Sequence, residues 1–300
     1  MLRPVVVGVD GSAESLAAAE WAAREAARRD LPLRMVHAWN WHPRQGENEL
    51  ANAAQRHLAR RVLGQAEKRV RAACPDVRLH DEQVEGPATA AMLAAGEGAD
   101  LLVLGSRGLS TLTGLLVGSV ALGVVARATR PVVLVRAGEG STDEHLPALD
   151  GTVSTRTAHR DVVLGVDVGD DCDDVIGFAL RAAHLRHARL RAVHAWHAPS
   201  ALGLGPGEVG LVGDRQRADE WLGFLSALLQ PWRDKYPDVE VLEQGVEGRA
   251  TDALVGAASG ASLVVVGHRL TGRMVGPRIG PVTHELIHHV GCPVAVVPHA

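Results

Sequence analysis

Short apolar runs alternate with longer amphipathic stretches along the whole chain. In the first half the apolar runs are rich in Val and Leu and are bounded by Gly, Asp or Pro, which is typical of strands buried on both faces of a parallel sheet. They cover 4–9, 33–38, 77–84, 101–105 and 131–135. The intervening stretches, such as S-L-A-A-A-E-W-A-A-R-E-A-A-R-R, have the apolar spacing and the strong helix formers of amphipathic helices. This alternation predicts an α/β fold, in which right-handed crossovers place helices on both faces of a parallel sheet.

The pattern of the first half returns in the second half in the same order. V-V-V-G-V-D at Val5–Asp10 recurs as V-V-L-G-V-D at Val162–Asp167, 157 residues later. L-R-M-V-H-A-W at Leu33–Trp39 recurs as L-R-A-V-H-A-W at Leu190–Trp196, again 157 residues later. Five residues are inserted farther along, so that the closing P-V-V-L-V returns as P-V-A-V-V 162 residues later. Self-similarity over this length indicates a tandem duplication.

Composition places the boundary between the two copies. Residues 137–160 shift to Gly, Ser, Thr and charged residues, a composition that is common in linkers. We therefore expect a first domain over 1–138, a linker over 139–160 and a second domain over 161–300.

The overall composition argues against several classes of function. The net charge of −4 provides no basic face for nucleic acid or for an anionic membrane. No apolar run approaches the roughly 18 residues that a membrane span needs, and the apolar stretch at the N-terminus is too short for a signal peptide. Three cysteines that lie far apart, with no C-x-x-C pair, are typical of reduced thiols in a cytosolic protein. We therefore expect a cytoplasmic protein that binds neither nucleic acid nor membrane.

Two glycine-bearing segments of the first copy follow predicted strands. Asp10 follows the first strand, and Ser12 is a suitable N-cap for the helix that comes next. G-S-R-G-L-S-T-L-T-G-L-L-V-G-S-V, from Gly105 to Val120, follows the fourth strand and leads into another helix. Glycines let backbone N–H groups approach an oligophosphate, and a serine at a helix N-terminus adds a hydroxyl there. The same glycines would also suit a loop that only turns, so both interpretations stay open on this segment alone.

The spacing G-x2-G-x9-G-[S/T], met by Gly105, Gly108, Gly118 and Ser119, resembles the ATP-binding signature of the universal stress protein family. The V-G-V-D-G-S opening, the V-H-A-W strand end, the V-E-G segment and the P-V-V-L-V closing strand are similar to that family too. The likeness covers nearly the whole chain as two tandem family domains. It implies in each a Rossmann-like, five-stranded parallel sheet of order 3-2-1-4-5, and a homodimer of the kind in which members pair through the last strand.

The resemblance also implies a nucleotide site in the first copy. Asp10 would contact the nucleotide near the ribose and phosphates, and the backbone of Ala38 would face adenine. A magnesium ion would accompany the triphosphate. The positions implied to hold the ribose and phosphates are Gly105, Arg107, Gly108, Gly118, Ser119 and Val120. For Arg107, a solvated surface position is an equal alternative to a phosphate contact.

The second copy departs from this pattern at two positions. Its corresponding residues are Asp167, Ala195, Gly267 and Gly280. However, Leu270 replaces Gly108 and Pro281 replaces Ser119. A leucine resists positive φ, and a proline has neither a hydroxyl nor a backbone donor, although it suits the first turn of a helix. Two phosphate-binding features are therefore lost, and whether ATP binds in the second copy stays open.

Two other motifs compete with this interpretation. His284, Glu285 and His288 form H-E-x-x-H, the spacing by which a helix offers two imidazoles to zinc. The equivalent helix of the first copy reads L-G-V-V-A, and a third histidine of the longer zinc pattern would fall at Val294. G-P-G-E-V-G over 205–210 meets G-x-G-x-x-G, but it contains a proline and has no counterpart in the first copy, which favours a flexible loop.

These observations favour a non-catalytic, ATP-binding stress-response protein whose nucleotide state is sensed by an unidentified protein partner. The alternatives are a slow ATPase, or a zinc hydrolase built on His284 and His288. His37 and His194 hold matching places in V-H-A-W, and we expect both to be structural histidines bonded to backbone.

Overall fold

The computed structural model describes residues 2–39, 49–106, 118–138, 140–170, 172–196, 214–270 and 279–299, of which 49–55 and 214–216 are described by their backbone alone. The first copy runs β1 Val5–Gly8, α1 Ala13–Arg29, β2 Leu33–Trp39, α2 Glu49–Ala73, β3 Leu79–Glu85, α3 Ala88–Glu97, β4 Leu101–Ser106, α4 Ser119–Val125 and β5 Val132–Arg136. The second runs β6 Val162–Gly165, α5 Asp173–Arg186, β7 Leu190–Trp196, α6 Asp214–Lys235, β8 Val241–Glu247, α7 Ala250–Ala258, β9 Leu263–Arg269, α8 Pro281–His289 and β10 Val294–His299. The strands of the first copy agree with the predicted ones to within two residues at either end.

All ten strands of the described residues join one sheet, of order β3-β2-β1-β4-β5-β10-β9-β6-β7-β8. Each half is parallel and has the order 3-2-1-4-5, which confirms the predicted fold class. The two halves meet where β5 and β10 pair antiparallel, with Val294 opposite Leu134 and Val296 opposite Val132. The strand edges through which the resemblance implied a dimer are therefore already paired within the chain, and a homodimer would need another surface.

Helices cover both faces of this sheet, as the near-continuous apolar strands require. Helices α1, α2, α5 and α6 pack on one face, and α3, α4, α7 and α8 pack on the other. The central strands are buried between them, and Val5, Val163 and Val265, for example, have no exposed surface. The alanines of α1 let the helix lie close to the sheet, since a small side chain holds the two backbones only a short distance apart.

The duplication is visible in how α1 and α5 begin and end. Ser12 is the N-cap of α1, as predicted, and its Oγ accepts from the Ser15 N–H at 3.2 Å. Helix α1 ends at Asp30 with φ 50°, and α5 ends at His187 with φ 48°. These two positions differ by the repeat offset of 157 (187 − 30), so that both copies keep a left-handed C-cap at the same place.

A buried charge cluster joins the two copies on the α1 and α5 face. Glu25 of α1 accepts from Arg29 Nε at 2.7 Å and from Arg186 Nη2 of α5, also at 2.7 Å. Each of these arginines lies over an aromatic ring of the other copy: Arg29 is 5.3 Å from the centroid of Phe178, and Arg186 is 5.8 Å from that of Trp21. The contacts are related by the repeat, because Arg29 and Arg186 correspond, as do Trp21 and Phe178 (178 − 21 = 157).

The segment between the copies contributes to the same cluster. A 3₁₀ turn over Ser141–Glu144 brings Glu144 against α1, where its carboxylate accepts from Arg24 and Arg28. Glu144 is only 3% exposed. A β-bridge between His145 and His159 closes the segment on itself. The negative charge of Glu144 therefore balances part of the positive charge of the arginines that lie between the two copies.

The helices that the structure describes include none that is both long enough and apolar enough to cross a membrane.

A candidate ligand cleft in each copy

A cleft of roughly 240 Å³ lies at the carboxyl ends of β1 and β4, where the strand order of the first half reverses. Such a crevice forms because the crossovers on its two sides pass over opposite faces of the sheet. Every described residue that we predicted for the nucleotide site of the first copy lines it: Asp10, Ala38, Gly105, Gly118, Ser119 and Val120. Arg107 and Gly108 lie outside the described residues, so their places stay predictions.

The wall of this cleft also includes residues that sequence reasoning did not name. Val36, Met92 and Leu104 give it an apolar side, and Glu14 and Ser15 lie at the start of α1. Their spacing gave no signal, because the orientation of a helix over a sheet depends on packing between distant segments. The cleft thus combines an apolar wall with polar groups along one edge, an arrangement that is common in small-molecule sites.

Asp10 is held in place by the turn that follows β1. Its Oδ1 accepts from the Ser12 backbone N–H at 2.9 Å and from Ser12 Oγ at 2.6 Å. Its own N–H donates to Ser15 Oγ at 3.3 Å. Gly11, between them, has φ 85°, a backbone conformation that favours glycine. The exposed carboxylate of Asp10 therefore has a defined orientation at the edge of the cleft.

The two described glycines of the signature are explained differently. A Cβ at Gly105 would lie 2.6 Å from the backbone carbon of Glu14 and 2.7 Å from the backbone nitrogen of Ser15, so glycine is needed for β4 to approach α1. A Cβ at Gly118 would have no heavy atom of the described residues within 4 Å, and its φ of −55° suits any residue. Packing explains Gly105, whereas Gly118 has open space beside the cleft and no such explanation.

The histidines of the two V-H-A-W segments are structural, as predicted. His37 Nδ1 lies 2.7 Å from the Val9 carbonyl oxygen, and His194 Nδ1 lies 3.0 Å from that of Val166. A carbonyl only accepts, so each neutral ring carries its hydrogen on Nδ1 and has a lone pair on Nε2. Each histidine thus ties the second strand of its copy to the end of the first.

The second copy has a wider cleft of roughly 1040 Å³ at the equivalent place. The four residues that correspond to the first site line it: Asp167, Ala195, Gly267 and Gly280. Pro281 begins α8 in the first turn, as predicted, in the position of Ser119. Arg269, which corresponds to Arg107, pairs with the Asp170 carboxylate. The geometry of a cleft is therefore kept, while the donors suited to phosphate are replaced or already paired.

Three histidines line the second cleft, and only His194 stood out in the sequence. His268 corresponds to Ser106, and His299 to Ala137, at the offset of 162. Burial lowers the pKa of the His268 imidazole, a hydrogen bond to the Ala126 backbone opposes this, and His299 lowers it further. Ala126 belongs to the first copy, so the second cleft reaches across the junction between the copies.

The H-E-x-x-H motif lies on α8, where the His284 and His288 ring centroids are 4.5 Å apart. Burial, with smaller effects from His284 and His289, lowers the pKa of the His288 imidazole. Glu285 is paired with His289 at 3.0 Å. Across the part of the chain that the structure describes, no group of three or more His, Cys, Asp or Glu side chains could hold a metal ion. The glycine-rich loop at 205–210 lies outside that part.

Comparison with known proteins agrees with this architecture. The universal stress protein family model matches residues 1–136 and again 159–298. A universal stress protein of Mycobacterium tuberculosis is 31% identical over 309 aligned positions, covering 97% of this chain and 96% of the relative. One from Mycolicibacterium smegmatis is 28% identical, covering 98% and 96%. A universal stress protein from Archaeoglobus fulgidus shares the fold, with a TM-score of 0.72 at 16% identity over 99% of this chain and 98% of that one. The chain thus belongs to the universal stress protein family and carries two family domains in tandem.

Proposed function

We propose that the first cleft binds ATP together with Mg²⁺, and that its occupancy is the signal by which this stress-response protein acts. One observation carries the proposal. Residues from four separate parts of the sequence, Asp10, Ala38, Gly105 and 118–120, line a single cleft at the point where the strand order reverses.

The groups along this cleft suit the parts of a magnesium nucleotide. The apolar wall, formed by Val36, Met92 and Leu104, suits a purine ring. The Asp10 carboxylate and the Ser119 hydroxyl offer oxygen ligands of the kind that Mg²⁺ takes. Open space at Gly118 leaves room for a phosphate close to the backbone. The residues present therefore fit the nucleotide and its ion.

We propose a binding function, with at most slow hydrolysis. Among the described residues that line the first cleft, the titratable side chains are those of Asp10 and Glu14. Phosphoryl transfer needs a group that orients the attacking water and cations that stabilise the charge on the transferred group.

A regulatory role also requires a second protein that distinguishes the nucleotide-bound form from the empty one. We propose a cytoplasmic protein partner that recognises the loops around the filled cleft.

The test compares two glycines that the duplication has placed in equivalent positions. Gly118 and Gly280 are the N-caps of α4 and α8, and within the described part of the chain a Cβ at either would have no heavy atom within 4 Å. A valine is therefore compatible with folding at both positions, but only Gly118→Val narrows the first cleft. Isothermal titration with MgATP should show binding that Gly118→Val abolishes and Gly280→Val leaves unchanged.

Unchanged ATP affinity in Gly118→Val, or the loss of binding in Gly280→Val, would mean that the site is wrongly placed. Measuring phosphate release from the ATP complex addresses hydrolysis. Turnover at more than a few per minute would favour an enzyme instead, in line with typical turnover numbers of about 1 s⁻¹ or more.

A further inference from the structure

We propose that the second cleft is a separate ligand site, which takes an uncharged heterocycle of nucleoside size that donates hydrogen bonds, rather than a nucleoside triphosphate. This goes beyond the proposed function, since it concerns a different cleft and a different class of ligand.

The first reason is a buried histidine that lines this cleft and has an unused acceptor. His194 lines the cleft and is only 6% exposed. Its Nδ1–H is engaged by the Val166 carbonyl, and its ring lies 5.0 Å from that of Trp221, so its orientation is defined. Among the described residues its Nε2 has no hydrogen-bond partner. A buried acceptor without a partner is costly, and a ligand N–H or O–H would satisfy it.

This feature is specific to the second copy. The corresponding His37 makes the same bond to backbone, but it is half-exposed and does not line the first cleft. The second cleft also has His299, whose Nδ1 is buried without a partner among the described residues. Histidines therefore line the second cleft, whereas none is among the described residues that line the first.

The second reason is that the described residues of this cleft offer few donors to a phosphate. Arg269 is already paired with the Asp170 carboxylate. Pro281 has no backbone N–H to offer and no hydroxyl. The carboxylate of Asp167, with that of Asp170, lies along the same cleft. To reach Arg269, a triphosphate would have to displace the Asp170 carboxylate, which an uncharged ligand avoids.

The third reason is the shape and the lining of the cleft. Val166, Val193, Leu254 and Val266 form apolar walls around the histidines. A volume of roughly 1040 Å³ is ample for a ligand of nucleoside size. A flat heterocycle would pack between the apolar walls, and its amino or hydroxyl groups could donate to His194.

Titration with adenosine tests this site, because adenosine is uncharged and donates through its amino and hydroxyl groups. The full-length Gly118→Val protein should still bind adenosine, since only the first cleft is narrowed. The Gly118→Val/Gly280→Val double variant should lose that binding. In Gly280→Val alone, ATP binding to the first cleft should be unchanged, which also shows that the chain is folded.

A second variant tests the role of the acceptor. His194→Phe keeps the ring and removes Nε2, so adenosine affinity should fall about tenfold. His37→Phe is the matched change in the first copy, and it should leave adenosine binding to the second cleft unchanged. Circular dichroism and thermal denaturation of the same samples report whether each variant is folded, independently of ATP binding.

Three results would overturn the proposal. One is the absence of adenosine binding to the Gly118→Val protein. Another is ATP binding at two equivalent sites per chain. The third is equal loss of adenosine affinity in His194→Phe and His37→Phe. The first and third results can occur whether or not ATP binds the first cleft, so failure of this proposal is distinguishable from failure of the proposed function.

Discussion

Arg29 and Arg186 occupy equivalent positions in the two copies, and both donate to the same carboxylate, that of Glu25, at 2.7 Å each. The repeat did not supply a second glutamate, since the residue that corresponds to Glu25 is Ala182. Glu144, from the segment between the copies, provides another carboxylate for the arginines of α1. The junction between the two domains is therefore held by charges that neither domain could balance alone.

Removing the Glu25 carboxylate should destabilise the protein strongly. Glu25→Gln leaves Arg29 and Arg186, whose side chains are 1% and 0% exposed, without their shared partner. We expect the free energy of unfolding to fall by about 3–5 kcal/mol, measured by guanidinium denaturation. Glu20→Gln on the same helix removes the solvent-exposed pair with Arg69 and should cost roughly 0–1 kcal/mol. Similar losses in the two variants would contradict a special role for the cluster.

His159, in the segment between the copies, should make the stability of the protein depend on pH. Burial, with further effects of Arg28, His145 and Arg186, lowers the pKa of His159 to about 4, although Glu144 opposes this. The unfolded chain therefore binds more protons than the folded one between a pH of about 6.5 and 4. His159 thus contributes stability that is fully present above pH 6.5 and is lost as the pH falls through that range.

The comparison of His159→Gln with the wild type checks this prediction. Chemical denaturation at several pH values should show a weaker dependence on pH between about 6.5 and 4 in the variant. His80→Gln changes an exposed histidine on β3 and should keep the slope of the wild type. If His159→Gln also kept the wild-type slope, His159 would not be the source of this pH dependence of stability.

Acid should weaken the same junction at lower pH. Burial opposes the ionisation of both Glu25 and Glu144. Even so, Arg186 and Arg29 hold the pKa of Glu25 below its usual range. Arg28 and Arg24 do the same for the pKa of Glu144. Their stabilising effect is present above the pKa of about 4.3 in the unfolded chain and is lost as the pH falls further. Circular dichroism during acid titration should therefore show unfolding of the wild type that Glu25→Gln shifts to higher pH.

Alanine should be tolerated differently at two equivalent glycines. A Cβ at Gly105 meets the backbone of Glu14 and Ser15 at 2.6–2.8 Å, whereas at Gly267 it meets the His299 side chain at 2.9 Å. A side chain can move aside more readily than the backbone of a helix. Thermal and chemical denaturation should show Gly105→Ala to cost about 1–3 kcal/mol more than Gly267→Ala. The reverse order would contradict the packing described for β4 against α1.

Asp10 and Asp167 provide a further matched pair. Asp10→Ala removes the carboxylate at the edge of the first cleft and its two bonds to Ser12. We expect MgATP binding to be lost, with stability lowered by about 1 kcal/mol because only an exposed turn is affected. Asp167→Ala changes the second cleft and should leave ATP binding in place. Full ATP affinity in Asp10→Ala would argue against a role for this carboxylate.

Much of the architecture could be predicted from the sequence, because strands and helices depend on local patterns of apolar and polar residues. Apolar runs and helical spacing predicted the strands, and the two offsets, 157 and 162, predicted two copies of one fold. The same offsets identified where the second copy differs, since Pro281 and Leu270 stand where the first copy has Ser119 and Gly108. Backbone preferences of single residues, such as proline in the first turn of α8, are also properties of the sequence alone.

Only the tertiary structure decided how the copies meet and what lies inside each cleft. The antiparallel pairing of β5 with β10 joins residues some 160 positions apart, such as Leu134 and Val294. Glu25 and Arg186, which share a hydrogen bond, are likewise some 160 positions apart in the sequence. Around Glu144, composition predicted a linker but gave no sign of its contact with α1. His194 shares its sequence context with His37, yet only His194 lines its cleft. Such differences arise from packing between distant segments, which sets the burial and the partners of each polar atom and has no signature in local spacing.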